Sequence, residues 1–342
     1  MSSQIKRLAT TDVGRWNDFV QQHPDSTFFH LAEWKDVLEQ AFGHATHYLY
    51  SEANGEITAV LPLAEVKSWL FGHSLVSTPF CVYGGVLAND DKSARLLVEK
   101  ACELARELNV DYLELRNRQR QQESWPCKEL YVTFRKTISD NDEENLKAIP
   151  RKQRAVVRKS LELGLDHAFD DKPDDFYTAY STSVRNLGTP VFSAKYFQTL
   201  KSLFKDRCDI LTIRKDGELV ASVMSFYFKD EVLPYYGGGT AAARSLKGND
   251  YMYWQLMCES VKRGLSVFDY GRSKEGTGSY SFKKNWGFVP EPLFYEYYLV
   301  KATEMPDVNP LNPKYQLMIN TWQKLPLWLS QKIGPLVSKY LG

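Results

Sequence analysis

At 342 residues, with 43% hydrophobic and 25% charged side chains, the chain has the composition of a globular protein. Its length suits about two domains, because single cores rarely grow past roughly 250 residues. A formal net charge of +1 excludes a protein that grips nucleic acid with its whole surface, so any such contact needs a local basic patch. No run approaches the ~20 apolar residues of a membrane span, and the first residues lack a signal-peptide core; five scattered cysteines without a Cys-x-x-Cys pair read as reduced thiols, so a cytoplasmic protein is expected.

In chain order, residues 11–42 read as two helical pieces. Thr11 or Asp12 caps the first, with Trp16, Phe19 and Val20 at helical spacing; His23-Pro24-Asp25 breaks it; Leu31, Trp34, Val37, Leu38 and Phe42 line the second. A strand at His47–Leu49 leads through the turn Asn54-Gly55 into an apolar run, Ile57–Val66. Leu75–Leu87 reads as a strand pair or bent strand containing Tyr83-Gly84-Gly85. Then come an amphipathic helix (Ala94–Leu108), a strand ending in Glu114 and Arg116, a polar loop and a closing strand (Leu130–Ile138).

The second half repeats this order. Ile210–Ile213 is a strand, Asp216-Gly217 turns into Leu219–Phe228, and Glu231–Tyr236 runs into Gly237-Gly238-Gly239. Asn249 or Asp250 caps a helix through Arg263 that Gly264 ends. Val267–Tyr270 is a strand carrying Asp269, and Phe294–Val300 closes the half. Between the halves, Asp140–Leu165 is a helical stretch with five cations and no acid among the nine residues Arg151–Lys159. Arg151, Arg154 and Arg158 share one face of it, either as a solvated surface or as a phosphate site. After Met305–Pro313, a linker, comes a mildly basic amphipathic tail with Trp322 and Trp328. It either docks as a helix on the body or lies on a membrane surface.

Val267–Phe288 carries the candidate chemistry. A short strand delivers Asp269, Arg272 and Ser273 to its end, beside a glycine turn and the start of a helix bearing Tyr280, Phe282, Lys283 and Lys284. Turn amides, a helix N-terminus and lysines together suit an anion or a developing oxyanion. Asp269 serves either as a base or amine positioner, or as half of a buried pair with Arg272 or a lysine. Adjacent helix residues point apart, so at most one of Lys283 and Lys284 faces the pocket. Gly237 and Gly238 either let a ligand lie against a splayed strand end or form a flexible turn. The six histidines are too scattered for a metal site, and no P-loop, Gly-x-Ser-x-Gly or His-Glu-x-x-His is present.

The stretch Phe268–Ser273 followed by Phe282-Lys283-Lys284-Asn285-Trp286-Gly287-Phe288, within two copies of a strand–helix–strand unit joined by a basic helix, resembles the FemAB/FemX-type members of the GNAT superfamily. Together with Pro290–Tyr297 it is most similar to the FemAB-related proteins of exosortase/PEP-CTERM systems. The resemblance implies an α+β fold of two tandem GNAT-like domains, at 1–139 and 167–303, with a basic helix at 140–166 and a linker and tail at 304–342. It implies an acyltransferase acting on an amine of a cell-envelope precursor, peptidoglycan or exopolysaccharide, with the donor either aminoacyl-tRNA or acyl-CoA and no resident cofactor. A Phe-Lys pair serves the reaction in that family and matches Phe282-Lys283; an arginine of the basic helix contacts precursor phosphates, and Arg158 or Arg154 is the nearest match. The acetyl-CoA loop of ordinary GNAT enzymes has only a loose counterpart at Arg244–Asp250.

The expected roles follow. Lys283 stabilises the oxyanion, while Asp269 and Tyr280 orient the amine or relay its proton. Arg272, Ser273, Lys274, Phe282, Lys284, Tyr236, Gly237, Gly238, Arg151, Arg154 and Arg158 bind substrate. The expected partners are a small or lipid-linked envelope precursor and charged tRNA, with the tail as a peripheral contact to the inner membrane. Two other readings stay open: an acyl-CoA-dependent N-acyltransferase acting on an amino sugar, and a non-catalytic adaptor for envelope assembly.

Overall fold

The computed structural model describes residues 3–69, 71–306 and 313–341. The chain forms two compact units. One comprises Met1–Tyr131, Pro292–Val308 and Lys339–Gly342; the other comprises Val132–Glu291 and Asn309–Ser338.

In the first unit both expected local signals act. Asn54 and Gly55 take φ of 56° and 85°, the left-handed pair that matches the twist of a two-residue hairpin, and they join strands Leu49–Ala53 and Glu56–Leu61. Helix Asp91–Glu107 starts at Asp90, whose carboxylate accepts from the Ser93 amide at 2.8 Å. Its inner face (Leu97, Ala101, Leu104) packs on Leu49, Leu61, Leu75 and Leu113 from the strands. Strand Gly72–Ser77 runs parallel to Tyr112–Asn117 and ends there. The stretch expected to continue it as strand is irregular from Thr78 to Val86, with Thr78, Phe80 and Gly84 at positive φ. The second helical piece runs from Glu33 to Phe42, α-helical over Glu33–Val37 and more widely wound over Leu38–Phe42.

The second unit is built on an eight-stranded sheet whose main path is Asp166–Phe169, Cys208–Lys215, Glu218–Phe228, Glu231–Gly239, Val267–Asp269, Tyr131–Thr137 and Ser273–Lys274. Asp216 and Gly217, at φ 52° and 83°, repeat the hairpin turn. Helix Gly248–Lys262 supplies Met252, Leu256 and Met257 to a core shared with Ile213, Val223 and Phe268. Helices Asp174–Asn186 and Ala194–Phe204 cover the sheet further along.

Four expectations need correction. Tyr131–Thr137, read above as closing the first half, pairs antiparallel with Val267–Asp269 in the second unit. Phe294–Leu299, read as closing the second half, pairs with Tyr112–Asn117 in the first. The two halves have exchanged their closing strands; an alternating apolar strand fits either sheet, and nothing local names its partner. The single helix expected over 140–165 is two, Asp142–Ala148 and Arg151–Leu161. Pro150 lacks an amide hydrogen and holds Ile149 extended (φ −68°, ψ 131°), which breaks the run. Gly237, Gly238 and Gly239 are strand residues paired with Val223, Ser222 and Ala221, not a turn.

Candidate active site

The parallel ladder between Glu231–Gly239 and Val267–Asp269 is two pairs long, Glu231 with Val267 and Val232 with Phe268. The ladder stops there, and the chain after Asp269 turns through Gly271 at φ 66°. Asp269 stabilises that turn: its carboxylate accepts the Gly271 amide at 2.7 Å and the Thr133 hydroxyl at 3.5 Å. Its guanidinium partner is Arg135, at 3.6 Å, and Arg135 also pairs with Glu231. Asp269 is 1% exposed. The geometry shows Asp269 in a buried ion pair with Arg135. Thr133, Phe134 and Arg135 come from the exchanged strand, which is why sequence reasoning missed them.

Helix Gly278–Asn285 follows. The Thr277 hydroxyl caps it by accepting the Tyr280 amide at 3.3 Å. One face turns inward with Lys283, which is 9% exposed, while Lys284 lies outside with its ammonium 5.5 Å from the Tyr280 ring. The Lys283 ammonium donates to two main-chain carbonyls of the turn, Gly271 and Arg272, each at 3.0 Å, and lies 5.6 Å from the Phe134 ring. Burial pushes this lysine down from 10.5 to about 7; the Asp269 carboxylate opposes the fall and Arg272 adds to it. Behind it, Phe282 joins Tyr253, Tyr270 and Trp286 in one aromatic cluster.

Ser273, 4% exposed on the short strand Ser273–Lys274, has a buried hydroxyl with no hydrogen-bond partner among the described residues. Tyr280 packs edge-on against Phe134 at 5.4 Å, and its hydroxyl reaches Glu275 at 3.5 Å. Phe134 therefore neighbours both Tyr280 and Lys283. The structure thus gathers Asp269, Arg272, Ser273, Lys274, Tyr280, Phe282 and Lys283 around one turn.

The other predicted residues have different neighbours. The Tyr236 hydroxyl shares a 2.7 Å hydrogen bond with that of Tyr196, inside a cluster with Tyr180, Phe192 and Phe197. A Cβ on Gly238 would lie 2.6 Å from the Ala179 carbonyl oxygen, and one on Gly237 2.9 Å from the Tyr253 hydroxyl, so what approaches these glycines closely is the protein itself. Arg151, Arg154 and Arg158 line an open recess of about 470 Å³ along helix Arg151–Leu161, with Ala155, Lys159 and Glu162. Lys159 pairs with Glu162 at 2.9 Å, whereas the three arginines form no ion pair among the described residues. Asp250, expected as a helix cap, lies inside helix Gly248–Lys262, which begins after Lys247 in left-handed geometry. Its carboxylate accepts from Gln153 and, at 3.2 Å, from the Trp286 indole.

The corresponding strand end of the first unit is sealed. Glu114 and Arg116, 6% and 3% exposed, pair at 2.7 Å, and Arg116 also donates to the Cys81 carbonyl at 2.7 Å. The Tyr295 hydroxyl donates to the Val82 carbonyl at 2.8 Å, which ties the irregular stretch after Thr78 to this strand end.

Comparison with known proteins now adds to this geometry. Residues 146–284 match the family model described as Acetyltransferase (GNAT) domain, a span that holds both the arginine face and Lys283. No curated protein matches the chain. Among solved structures, FemX superposes with a TM-score of 0.68 at 14% identity, over 92% of this chain and 100% of that one. A tandem GNAT protein from the clavulanic acid biosynthesis pathway superposes with a TM-score of 0.56 at 13% identity, over 89% of this chain and 100% of that one. The fold is therefore α+β and GNAT-like, of the tandem kind.

Proposed function

We propose that the chain is an acyl- or aminoacyltransferase of the FemX type that forms an amide on an amine of a cell-envelope precursor. The observation that carries this reading is the state of Lys283: buried, held by two carbonyls, and lowered to about 7. Such a lysine is divided between its neutral and charged forms near neutral pH, where a general base is most effective.

In the neutral form two N–H groups serve Gly271 and Arg272, leaving a lone pair for the incoming amine. The amine attacks the donor carbonyl as Lys283 takes its proton. The lysine is then an ammonium with one N–H free for the new oxyanion. Collapse breaks the carbonyl–oxygen bond of the donor ester, and the departing alkoxide recovers the proton from Lys283. Asp269 and Arg135 position the turn whose carbonyls hold the lysine, and the Ser273 hydroxyl offers an unused hydrogen bond to the reacting groups. Arg151, Arg154 and Arg158 are the residues suited to a substrate phosphate.

The donor this reading favours is aminoacyl-tRNA. The loose counterpart of an acetyl-CoA loop, Arg244–Asp250, contains Gly248, where the space beside the backbone is filled by Val220 and Ala243. The envelope precursor as acceptor rests on the sequence likeness of Phe268–Phe288. The test offers charged tRNA and acetyl-CoA separately with amine acceptors and follows amide formation by mass spectrometry. Transfer from charged tRNA, reduced at least a hundredfold in Lys283→Ala, is expected; full activity in that variant removes the assignment, and transfer from acetyl-CoA alone replaces the donor.

A further inference from the structure

The tail reverses the usual arrangement of a docked helix. In Leu327–Ser338 the residues facing the body are small: Ser330, Gly334 and Ser338 are buried. Ser338 donates to the Val191 carbonyl at 3.0 Å, and a Cβ on Gly334 would stand 2.8 Å from the same oxygen. Gln331 donates to the Ser181 hydroxyl at 2.8 Å, and Arg185 to the Leu325 carbonyl at 3.0 Å. The seat is thus made of small residues and polar bonds. Two large apolar side chains point the other way, while Leu329, Ile333 and Val337 are half-buried: Trp328 and Leu336 are each 65% exposed, with exposed Lys332 between them at helical spacing. In Pro313–Gln323, Leu317 is 70% exposed and Met318 53%. A soluble surface that displays tryptophan, leucine and methionine on consecutive helices while burying serine and glycine forgoes apolar burial it could have had.

Charge decides what covers this face. From Val308 to Gly342 there are four lysines, Lys314, Lys324, Lys332 and Lys339, and no aspartate or glutamate. The chain as a whole carries a net charge of only +1, so the positive excess of this stretch comes from its lack of acids and is offset elsewhere. Apolar residues with a tryptophan, interleaved with lysines whose stems lie along apolar surface and whose heads reach for phosphate, match the chemistry of an anionic bilayer surface. Among the described residues no helix is long and apolar enough to cross a membrane. We propose that the tail helices seat the protein on an anionic lipid surface, with Trp328 and Leu336 entering the headgroup boundary and Lys324 and Lys332 meeting lipid phosphates. This inference stands apart from the transfer reaction.

The experiment uses the intact protein and sedimentation with vesicles of phosphatidylcholine, alone or with about one quarter phosphatidylglycerol. Binding to the anionic vesicles, absent on phosphatidylcholine alone and weakened by salt, is expected. Lys324→Gln with Lys332→Gln should lower the partition coefficient about fivefold per lysine removed. Trp328→Ser with Leu336→Ser should abolish binding without moving the thermal melting curve, because both side chains are exposed. If that variant misfolds, the lysine pair, which touches no core residue, decides. No binding of the intact protein to anionic vesicles overturns the proposal, as does binding indifferent to both pairs of substitutions. A dimer that the Trp328/Leu336 variant dissolves, with no vesicle binding, assigns the face to a second copy and overturns it equally.

Discussion

A lysine stripped of water and held near 7 opposes folding in its charged form, because the unfolded chain keeps the ordinary value of 10.5. Below about 7 both states carry the proton and the cost of burying the charge is fully present. Between about 7 and 10.5 the unfolded chain binds a proton that the folded protein does not, so stability rises with pH across that window. Lys283→Met should therefore be inactive yet melt higher than wild type at about pH 6, by roughly 2–4 °C for each kcal/mol relieved, with the gap closing as pH approaches 10. A methionine variant that is less stable at every pH by a constant amount would show that the lysine is there for its hydrogen bonds alone. Lys283 was legible in the sequence through the Phe282-Lys283 match, and helix geometry correctly allowed only one of the adjacent lysines inward. Thr133, Phe134 and Arg135, which hold Asp269 and flank the ammonium, were not legible, because their strand reaches the site from some 130 residues upstream through long-range pairing.

At the scale of elements, Asp250 ties three helices together: its own, the arginine helix through Gln153, and the end of the lysine helix through Trp286. Burial raises its carboxyl above the usual range, opposed by those two hydrogen bonds. Asp250→Ala strands a buried indole N–H and an amide, and should cost about 2–4 kcal/mol in urea unfolding; Asp250→Asn, which keeps an acceptor, should cost about 1 kcal/mol. Equal losses in the two would show that the tie is not the carbonyl-type acceptor but the charge. The sequence placed this aspartate at a helix start, a sound reading of Asn249-Asp250 before an apolar run. It failed because the short helix Ala242–Ser245 and left-handed Lys247 begin the element earlier. The hairpins at Asn54-Gly55 and Asp216-Gly217 were readable because their turns need positive φ at both residues, a requirement that few side chains other than asparagine, aspartate and glycine meet. The break at Pro150 was written in the sequence as well, and the continuous charge pattern around it masked it.

For the whole molecule, the repeated order of elements was visible in the sequence, whereas the exchange of closing strands was not. The first half of the chain carries Tyr112–Asn117 and its parallel neighbour Gly72–Ser77 but not its antiparallel partner, Phe294–Leu299, whose Glu296 also accepts the amides of Gln121 at 3.0 Å and Gln122 at 2.6 Å. A fragment of residues 1–139 should accordingly fail to give the dispersed amide spectrum of a folded domain; a well-folded fragment would show the exchange to be dispensable. The same exchange brings the Phe134 ring to 5.6 Å from the Lys283 ammonium. The most direct test of the account is a nuclear magnetic resonance titration of the lysine side-chain amines in the intact protein, with Lys283 assigned by its loss in Lys283→Arg. Lys283 is expected to titrate with a midpoint near 7; a midpoint near the ordinary 10.5 would contradict the role given to it.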